Sequence, residues 1–150
     1  MNKKTKGKIL AVCRSEKKGT VKTEIKEGLL IKDFGLEGDA HAGKWHRQIS
    51  LLGVESINKM QGKGFEINFG DFAENLTIEG IVLHQLPLGT KIKAGENVLL
   101  EVTQIGKECH HGCEIRKKIG DCVMPLEGIF TRVLKTGTVK VGDEIEVLTE

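Results

Sequence analysis

The stretch Asn97-Val98-Leu99-Leu100-Glu101-Val102-Thr103 is one of the longest strand-like segments of the sequence. Its apolar and β-branched residues favour an extended chain, and glycine or proline turns bound it and the similar stretches on either side. Those similar stretches lie at 8–13, 20–25, 49–52, 75–78, 90–92, 128–134 and 142–148. Many short strands at regular spacing predict a mainly β fold, a barrel that forms one domain over residues 1–150.

Helical spacing is rare in this sequence. Apolar residues at that spacing follow the stretch 49–52 and stop at Gly62, so the segment predicts a strand entering one short helix. The residues on its apolar face are Val54, Ile57 and Met60. A helical turn or two is also predicted within 113–118, and the barrel is therefore expected to carry few and short helices.

Length, charge and hydropathy limit the classes of protein to which this chain can belong. A chain of 150 residues can bury a core without help from disulfides or metal. Lys+Arg number 23 against 21 for Asp+Glu, and aromatic residues are only 4%, so we do not expect binding to nucleic acid. No apolar run approaches the length of a membrane span, and residues 1–7 lack the apolar part of a secretory signal. The sequence therefore predicts a cytoplasmic protein without membrane insertion.

Three of the four cysteines lie close together, at Cys109, Cys113 and Cys122, with His110 and His111 beside the first of them. Thiols are kept reduced in the cytoplasm, so these cysteines are expected to be free, catalytic or metal-binding. A thiol acts as nucleophile or metal ligand only as the thiolate, which neighbouring cationic groups favour. The cluster predicts a reactive-sulfur site, with a four-ligand zinc site and buried packing residues as the alternatives.

Several motifs occur together in this chain. They are Gly35-Leu36-Glu37-Gly38-Asp39-Ala40-His41, Arg47-Gln48-Ile49-Ser50-Leu51-Leu52, Gly70-Asp71-Phe72-Ala73-Glu74-Asn75-Leu76-Thr77, and Val102-Thr103-Gln104 leading to Cys109. In this order they resemble the MOSC domain, the C-terminal module of molybdenum cofactor sulfurases. The resemblance covers the chain from about Ile9 to Val147. It implies a MOSC-type β-barrel and a role in carrying sulfur as a cysteine persulfide or in binding the molybdenum cofactor.

The resemblance also implies roles for the thiols. Cys109 matches the motif cysteine of the family and is the expected persulfide carrier, while Cys113 and Cys122 are candidate assisting thiols. Many relatives have a Pro-Arg-x-Pro-Cys sequence where this chain has Ile105-Gly106-Lys107-Glu108-Cys109, so the role of that arginine does not transfer. Eukaryotic sulfurases add a desulfurase domain that uses pyridoxal phosphate, and 150 residues cannot hold it. Pyridoxal phosphate is therefore not expected as a cofactor.

A molybdenum cofactor carries a phosphate and an oxyanionic metal centre, and cationic side chains suit both. The candidate cofactor-binding residues are Asp39, His41, His46, Arg47, Asn75 and Arg132, with Asn75 expected at the pocket edge. The segment 35–43 has little periodicity and many polar groups, which predicts a long loop. The alternative is that Asp39 and Arg47 pair with each other to hold this loop, and that Trp45 anchors the loop against the barrel.

The leading hypothesis is a stand-alone MOSC protein that carries sulfur on Cys109 for cofactor or metal–sulfur centre maturation. A cysteine desulfurase or another sulfur donor would supply the sulfur, and a molybdopterin-biosynthesis protein or a molybdoenzyme would receive it. The alternatives are a non-catalytic module that binds and delivers the cofactor, a small molybdoenzyme that reduces N-hydroxylated compounds, and a zinc-stabilised structural domain.

Overall fold

The computed structural model describes residues 6–17, 22–61, 68–70, 72, 74–106 and 127–148. Its strands are β1 Lys6–Arg14, β2 Thr23–Ile25, β3 Glu27–Ile31, β4 Gly35–Leu36, β5 Ile49–Gly53, β6 Leu76–Glu79, β7 Lys91–Ala94, β8 Val98–Ile105, β9 Ile129–Lys135, β10 Gly137–Lys140 and β11 Glu144–Leu148. Helix α1 is Val54–Gln61, and a 3-10 turn spans Leu83–Gln85.

Seven strands close into a barrel, in the order β1, β11, β7, β8, β9, β5, β6 and back to β1. The ring closes where β1 meets β11, with Lys6 opposite Glu146. Within this ring the pair β5–β6 is parallel and the other pairs are antiparallel. The prediction of a mainly β barrel with few short helices is confirmed.

The barrel interior is filled by the inward side chains of the strands. On β7, Lys91 and Lys93 are exposed while Ile92 and Ala94 are buried. This alternation is expected for a strand that exposes one face to solvent and buries the other. The largest fully buried side chains include Ile9, Leu30, Leu36, Ile49, Leu51, Leu52, Leu76, Ile78, Leu83 and Ile92. Burial of these aliphatic groups provides the main driving force for the fold.

A second sheet, in the order β10, β3, β4, packs against the barrel and was not predicted as such. β3 is absent from the predicted strands, and Gly35–Leu36 was expected in a loop, because neither segment has a clear period of its own. Hydrogen bonding to neighbouring strands stabilises these segments instead. Leu30 of β3 lies opposite Leu36 of β4 on one side and opposite Gly137 of β10 on the other. Both leucines are fully buried, so this sheet fixes the start of the polar segment that follows β4.

The predicted strand-to-helix passage is confirmed, with β5 running directly into α1. Ile57 on the helix is buried, as its spacing predicts. In the part of the chain that the structure describes, no helix is both long enough and apolar enough to cross a membrane.

Candidate functional site

The segment 37–48 connects β4 to β5 and carries most of the predicted polar residues; we call it the 37–48 loop. Its end is fastened by Gln48, whose side chain is fully buried. Gln48 Oε1 accepts a hydrogen bond from Val133 N at 2.9 Å, and Gln48 Nε2 donates to Gly43 O at 3.0 Å. One amide therefore ties the loop both to β9 and to itself.

The start of the loop is fastened by a buried ion pair. Lys22 Nζ lies 2.7 Å from Asp39 Oδ1, and both side chains have no exposed surface. Lys22 Nζ also donates to Ser15 Oγ at 3.1 Å, and Ser15 N donates to Asp39 Oδ1 at 3.0 Å. Asp39 is thus held by the segments that follow β1 and precede β2, because Lys22 supplies the cation that a buried carboxylate needs.

His41 is part of the same cluster. Its Nδ1 lies 3.0 Å from Lys22 Nζ, and its backbone N–H donates to Asp39 Oδ2 at 3.2 Å. Burial lowers the pKa of Lys22 from its ordinary value, and the neighbouring Asp39 carboxylate opposes that shift. Only 22% of the His41 side chain is exposed, so one edge of the ring faces the cluster and part of it faces solvent.

Trp45 packs parallel to His41. The ring planes differ by 2° with centroids 6.3 Å apart, and Trp45 Nε1 donates to His41 O at 2.7 Å. This contact fixes both rings within the 37–48 loop, while the anchoring of the loop against the barrel by Trp45 stays a prediction.

A second cluster centres on Gln104, near the end of β8. Gln104 Oε1 accepts from Arg47 Nε at 3.0 Å and lies 2.7 Å from His46 Nε2. Gln104 Nε2 donates to Gly106 O at 2.7 Å, so the amide oxygen is the atom that faces Arg47 and His46. Thr103 Oγ1 donates to His46 O, which joins the same strand to the loop backbone.

Arg47 lies between aromatic rings, with its Cζ 5.2 Å from the centre of Phe130 and 5.9 Å from the centre of Trp45. The predicted alternative that Asp39 pairs with Arg47 is wrong, because Asp39 pairs with Lys22 and Arg47 donates to Gln104. No carboxylate of a described residue forms a salt bridge with Arg47. The rings of Phe130 and Trp45 and the amide of Gln104 orient the guanidinium group without neutralising its charge.

Arg132 lies on β9, two residues from Phe130 and hence on the same face of the sheet. Its Nε donates to Glu101 Oε1 at 2.7 Å across the β8–β9 pair, and 50% of the Arg132 side chain is exposed. Exposed pairs of this kind are weak, so Glu101 orients Arg132 without burying its charge. The binding role of Arg132 stays a prediction.

Asn75 lies in the interior, with 1% of its surface exposed, and not at a pocket edge as expected. Its Oδ1 accepts from Ser50 N at 2.9 Å, and its Nδ2 donates to Cys13 O at 3.1 Å. The amide therefore joins β1 to β5 just before β6 begins. These contacts describe a structural role, while a contact between Asn75 and a cofactor stays a prediction.

Glu74 beside it is fully buried. The carboxylate accepts from Gly70 N at 3.0 Å, from Phe72 N at 3.2 Å and from Thr77 Oγ1 at 3.1 Å. Burial raises the pKa of Glu74 to about 7, although these hydrogen bonds favour the ionised form.

The predicted thiols Cys109, Cys113 and Cys122 lie outside the described residues. The chain leaves the described part at Gly106 and returns at Glu127. The backbone N–H of Gly106 donates to Gly128 O at 2.7 Å, so the two ends of the intervening segment are adjacent. One end follows β8, which carries Gln104, and the other end directly precedes β9, which carries Phe130. Within the described ranges, no group of three or more His, Cys, Asp or Glu side chains is arranged to hold a metal ion.

Sequence analysis missed three residues that organise this region: Lys22, Gln48 and Gln104. Lys22 has no local signal, because it is one of many lysines in a charged sequence. Gln48 and Gln104 both lie inside the motifs quoted above, Arg47-Gln48-Ile49 and Val102-Thr103-Gln104. An amide at the end of an otherwise apolar strand is the signal that could have marked them.

A separate cavity of about 320 Å³ lies beside the start of α1. It is lined by Gly53, Glu55, Ser56, Gly80, Ile81, Val82, Leu83, His84 and Glu127. None of the predicted cofactor-binding residues lines this cavity.

The family model described as MOSC domain matches residues 38–146. No curated protein matches the sequence. Among solved structures, the YuaD protein from Bacillus subtilis is similar with a TM-score of 0.80 and 22% sequence identity, over 98% of each chain.

Two further structures are similar over much of their length. YiiM from Escherichia coli has a TM-score of 0.68 and 17% identity, over 97% of this chain and 70% of that one. YiiM from Geobacillus stearothermophilus has a TM-score of 0.66 and 19% identity, over 95% of this chain and 73% of that one. At these identities the similarity shows a shared fold.

Proposed function

The chain belongs to the MOSC domain family, which is associated with the molybdenum cofactor, and from this premise we propose that it binds that cofactor and carries sulfur as a persulfide on Cys109. The observation that carries the proposal is the convergence of Arg47 and His46 on Gln104 Oε1. Gln104 stands two residues before the chain enters the segment that bears the thiol.

The chemistry of Arg47 suits the anionic groups of the cofactor. Its Nε is engaged by Gln104, so the two terminal nitrogens provide donors for a phosphate or an oxyanion. Phe130 and Trp45 hold the guanidinium plane, which lowers the entropy lost when a ligand binds. When bound, the cofactor supplies the molybdenum centre and its oxygen or sulfur ligands, while Arg47, His41 and Arg132 supply the polar contacts.

Distance along the chain supports the link between this site and the thiol. Cys109 is three residues beyond Gly106, and three residues of extended chain span at most about 11 Å. Gln104 Nε2 bonds Gly106 O directly. A ligand held by Arg47 is therefore within reach of the segment that begins there.

The proposed sulfur step needs a donor with its own persulfide, such as a cysteine desulfurase. The thiolate of Cys109 attacks the outer sulfur of that persulfide, the donor's S–S bond breaks, and the donor leaves as a thiolate. Cys109 then carries the sulfane sulfur to an acceptor, for which we propose a molybdopterin-biosynthesis protein or a molybdoenzyme.

Mass spectrometry after loading with a sulfane-sulfur donor tests the persulfide. We expect one added sulfur on the peptide that contains Cys109, lost in Cys109→Ser and retained in the matched variants Cys113→Ser and Cys122→Ser. Persistence of the same adduct in Cys109→Ser overturns this part of the proposal.

Metal analysis of protein purified from its native cell tests the cofactor, with molybdenum, tungsten and zinc measured together. We expect molybdenum in the wild type and a loss of at least tenfold in Arg47→Gln, since one charge-assisted contact contributes about 1.5 to 3 kcal/mol. Lys93→Gln, a change at an exposed position of β7, should retain the wild-type amount. Zinc without molybdenum overturns the assignment.

A non-catalytic module that binds and delivers the cofactor is the second candidate. It is favoured by the described cluster itself, because Arg47, His46 and Gln104 form a cationic site without any thiol. Wild-type molybdenum content in Cys109→Ser, with no persulfide on the wild type, would support this function over sulfur transfer.

A further inference from the structure

We infer that the buried ammonium group of Lys22 fixes His41 as the neutral tautomer with its proton on Nε2, so that His41 serves the site as a hydrogen-bond donor. In this form the ring recognises an acceptor oxygen, such as one on a phosphate or an oxo anion. It does not accept a proton or bind a metal through Nε2. The identity of the ligand rests on the proposed function, whereas the tautomer rests on the structure of the cluster alone.

The geometry around Lys22 Nζ carries the inference. Three acceptors surround that nitrogen: Asp39 Oδ1 at 2.7 Å, His41 Nδ1 at 3.0 Å and Ser15 Oγ at 3.1 Å. An ammonium group has three N–H donors and no acceptor. Each donor has one partner, and His41 Nδ1 can be such a partner only when it carries no proton.

Asp39 explains why Lys22 keeps its charge although its side chain has no exposed surface. Asp39 Oδ1 accepts from Lys22 and from Ser15 N, and its Oδ2 accepts from His41 N. A carboxylate with three N–H donors is stabilised in its ionised form, and it requires a cation beside it when both side chains are buried. Lys22 has no exposed surface, so it is that cation.

A protonated His41 does not fit this arrangement. Its Nδ1–H would face the ammonium group at 3.0 Å, two donors without an acceptor between them. Asp39 Oδ2 lies 3.9 Å from Nδ1, which is too long for a hydrogen bond. The form that fits is therefore the neutral ring without a proton on Nδ1, and its one N–H proton is on Nε2.

Lys22 is accordingly a positioning residue, because it acts on a ligand through His41. The parallel packing of Trp45 on His41 limits rotation of the imidazole ring. The N–H direction is thus set before a ligand arrives, and such preorganisation improves affinity by reducing the cost of ordering.

Nitrogen NMR of the full-length, ¹⁵N-labelled protein at neutral pH tests the inference without any ligand. Long-range couplings from the ring protons show which nitrogen is protonated, and comparison with His41→Gln assigns the signals. We expect the tautomer protonated on Nε2 in the wild type. The tautomer protonated on Nδ1, or a ring protonated on both nitrogens, overturns the inference.

Two variants of the cluster distinguish the effect of the Lys22 ammonium group on the His41 tautomer from the effect of side-chain packing. We expect Lys22→Met to give a mixture of both tautomers, while Ser15→Ala, which keeps the ammonium and Asp39, retains the Nε2–H form. A single Nε2–H form in folded Lys22→Met overturns the role of Lys22. If that variant does not fold, the wild-type measurement still decides the tautomer.

Molybdenum content after purification tests the donor role. His41→Gln keeps an N–H donor and should retain several times more molybdenum than His41→Leu. Equal contents in the two variants overturn the donor role. Absence of molybdenum from the wild type, with the Nε2–H tautomer observed, overturns the proposed function and leaves the tautomer assignment standing.

Discussion

Burial of a lysine ammonium group is unfavourable unless each of its donors finds an acceptor. Lys22, which precedes β2, meets that condition through Ser15, which follows β1, and through Asp39 and His41 of the 37–48 loop. One residue therefore links the β1–β2 connection to the 37–48 loop, whose Asp39 lies 17 residues further along the chain. The hydrogen bonds of Lys22 Nζ therefore contribute both to the geometry of the candidate site and to the stability of the fold.

Replacing Lys22 by methionine is expected to destabilise the protein by about 3 to 5 kcal/mol, because the Asp39 carboxylate is then buried without a cation. Urea denaturation followed by circular dichroism measures the loss. Lys93→Met, at an exposed position of β7, should change the free energy of unfolding by less than about 0.5 kcal/mol.

The double variant Lys22→Met with Asp39→Leu tests whether Lys22 stabilises the protein through its ion pair with Asp39 or only through packing of its side chain. It removes both charges, so its free energy of unfolding should exceed that of Lys22→Met alone. A double variant as unstable as the sum of the single variants would contradict the pairing.

Glu74 predicts a specific pH dependence of stability. Its pKa is raised from 4.5 to about 7 by burial. Between these values the folded carboxyl keeps its proton while the unfolded one has lost it, so unfolding releases a proton. Stability attributable to Glu74 therefore falls as pH rises through this window, by about 3 kcal/mol in total.

Denaturation of wild type and Glu74→Gln at pH 5 and at pH 8 measures this effect. The wild type should lose more stability than the variant over that interval. Glu79→Gln, a change at an exposed position of β6, should follow the wild type. Identical pH dependence of Glu74→Gln and the wild type would show that Glu74 does not titrate in the window.

Sequence analysis identified most of the polar residues of the site but not their partners. Asp39, His41, His46 and Arg47 stand together in one short segment, so proximity along the chain was enough to group them. Lys22 and Gln104 approach them only through the folded sheet, and no local pattern reports contacts over such separations. The pairing of Asp39 with Arg47 was wrong for this reason.

At the scale of the elements, the turn before β6 is fixed by one glycine. Gly70 has φ of +88°, and a Cβ built on it would lie 2.1 Å from Lys22 O. Its N–H donates to Glu74, and its carbonyl accepts from Lys22 N at 2.8 Å. The turn that holds Glu74 is thus in direct backbone contact with the start of the Lys22 cluster.

We expect Gly70→Ala to cost about 2 to 5 kcal/mol, because a left-handed backbone and a steric clash add. Gly142→Ala is the matched control. Gly142 has a similar φ of +95° with nothing within 4 Å of the added carbon. It should cost only about 1 to 2 kcal/mol. Thermal denaturation compares the two, and equal losses would contradict the close approach at Gly70.

The strands that sequence analysis located have strong patterns of their own. β1, β8 and β9 are rich in β-branched and aliphatic residues, and each was predicted to within a few residues. β3 and β4 depend on pairing with each other and with β10. Tertiary contact overrides local preference in such short segments, so they could not be predicted from pattern alone.

For the molecule as a whole, β11 is the strand that closes the barrel, since it pairs with β7 on one side and β1 on the other. Ile145 is fully buried and Val147 nearly so. Loss of β11 would remove both pairings and expose apolar interior together with two strand edges.

A chain ending at Gly142 is therefore expected to lose its cooperative thermal transition and to form larger assemblies. A chain ending at Leu148 keeps every described strand and should unfold like the wild type. Size-exclusion chromatography with circular dichroism compares them. A monomeric, cooperatively unfolding chain ending at Gly142 would show that the ring does not need its last strand.

The closure of β1 against β11 has a consequence for biosynthesis. The first strand leaves the ribosome while its final neighbour is more than a hundred codons away, a delay on the order of ten seconds at typical elongation rates. During that delay one edge of the nascent β1 has no native partner. Lys6 and Lys8, both exposed on this edge and opposite β11 in the finished barrel, place charge where another nascent chain would otherwise add a strand.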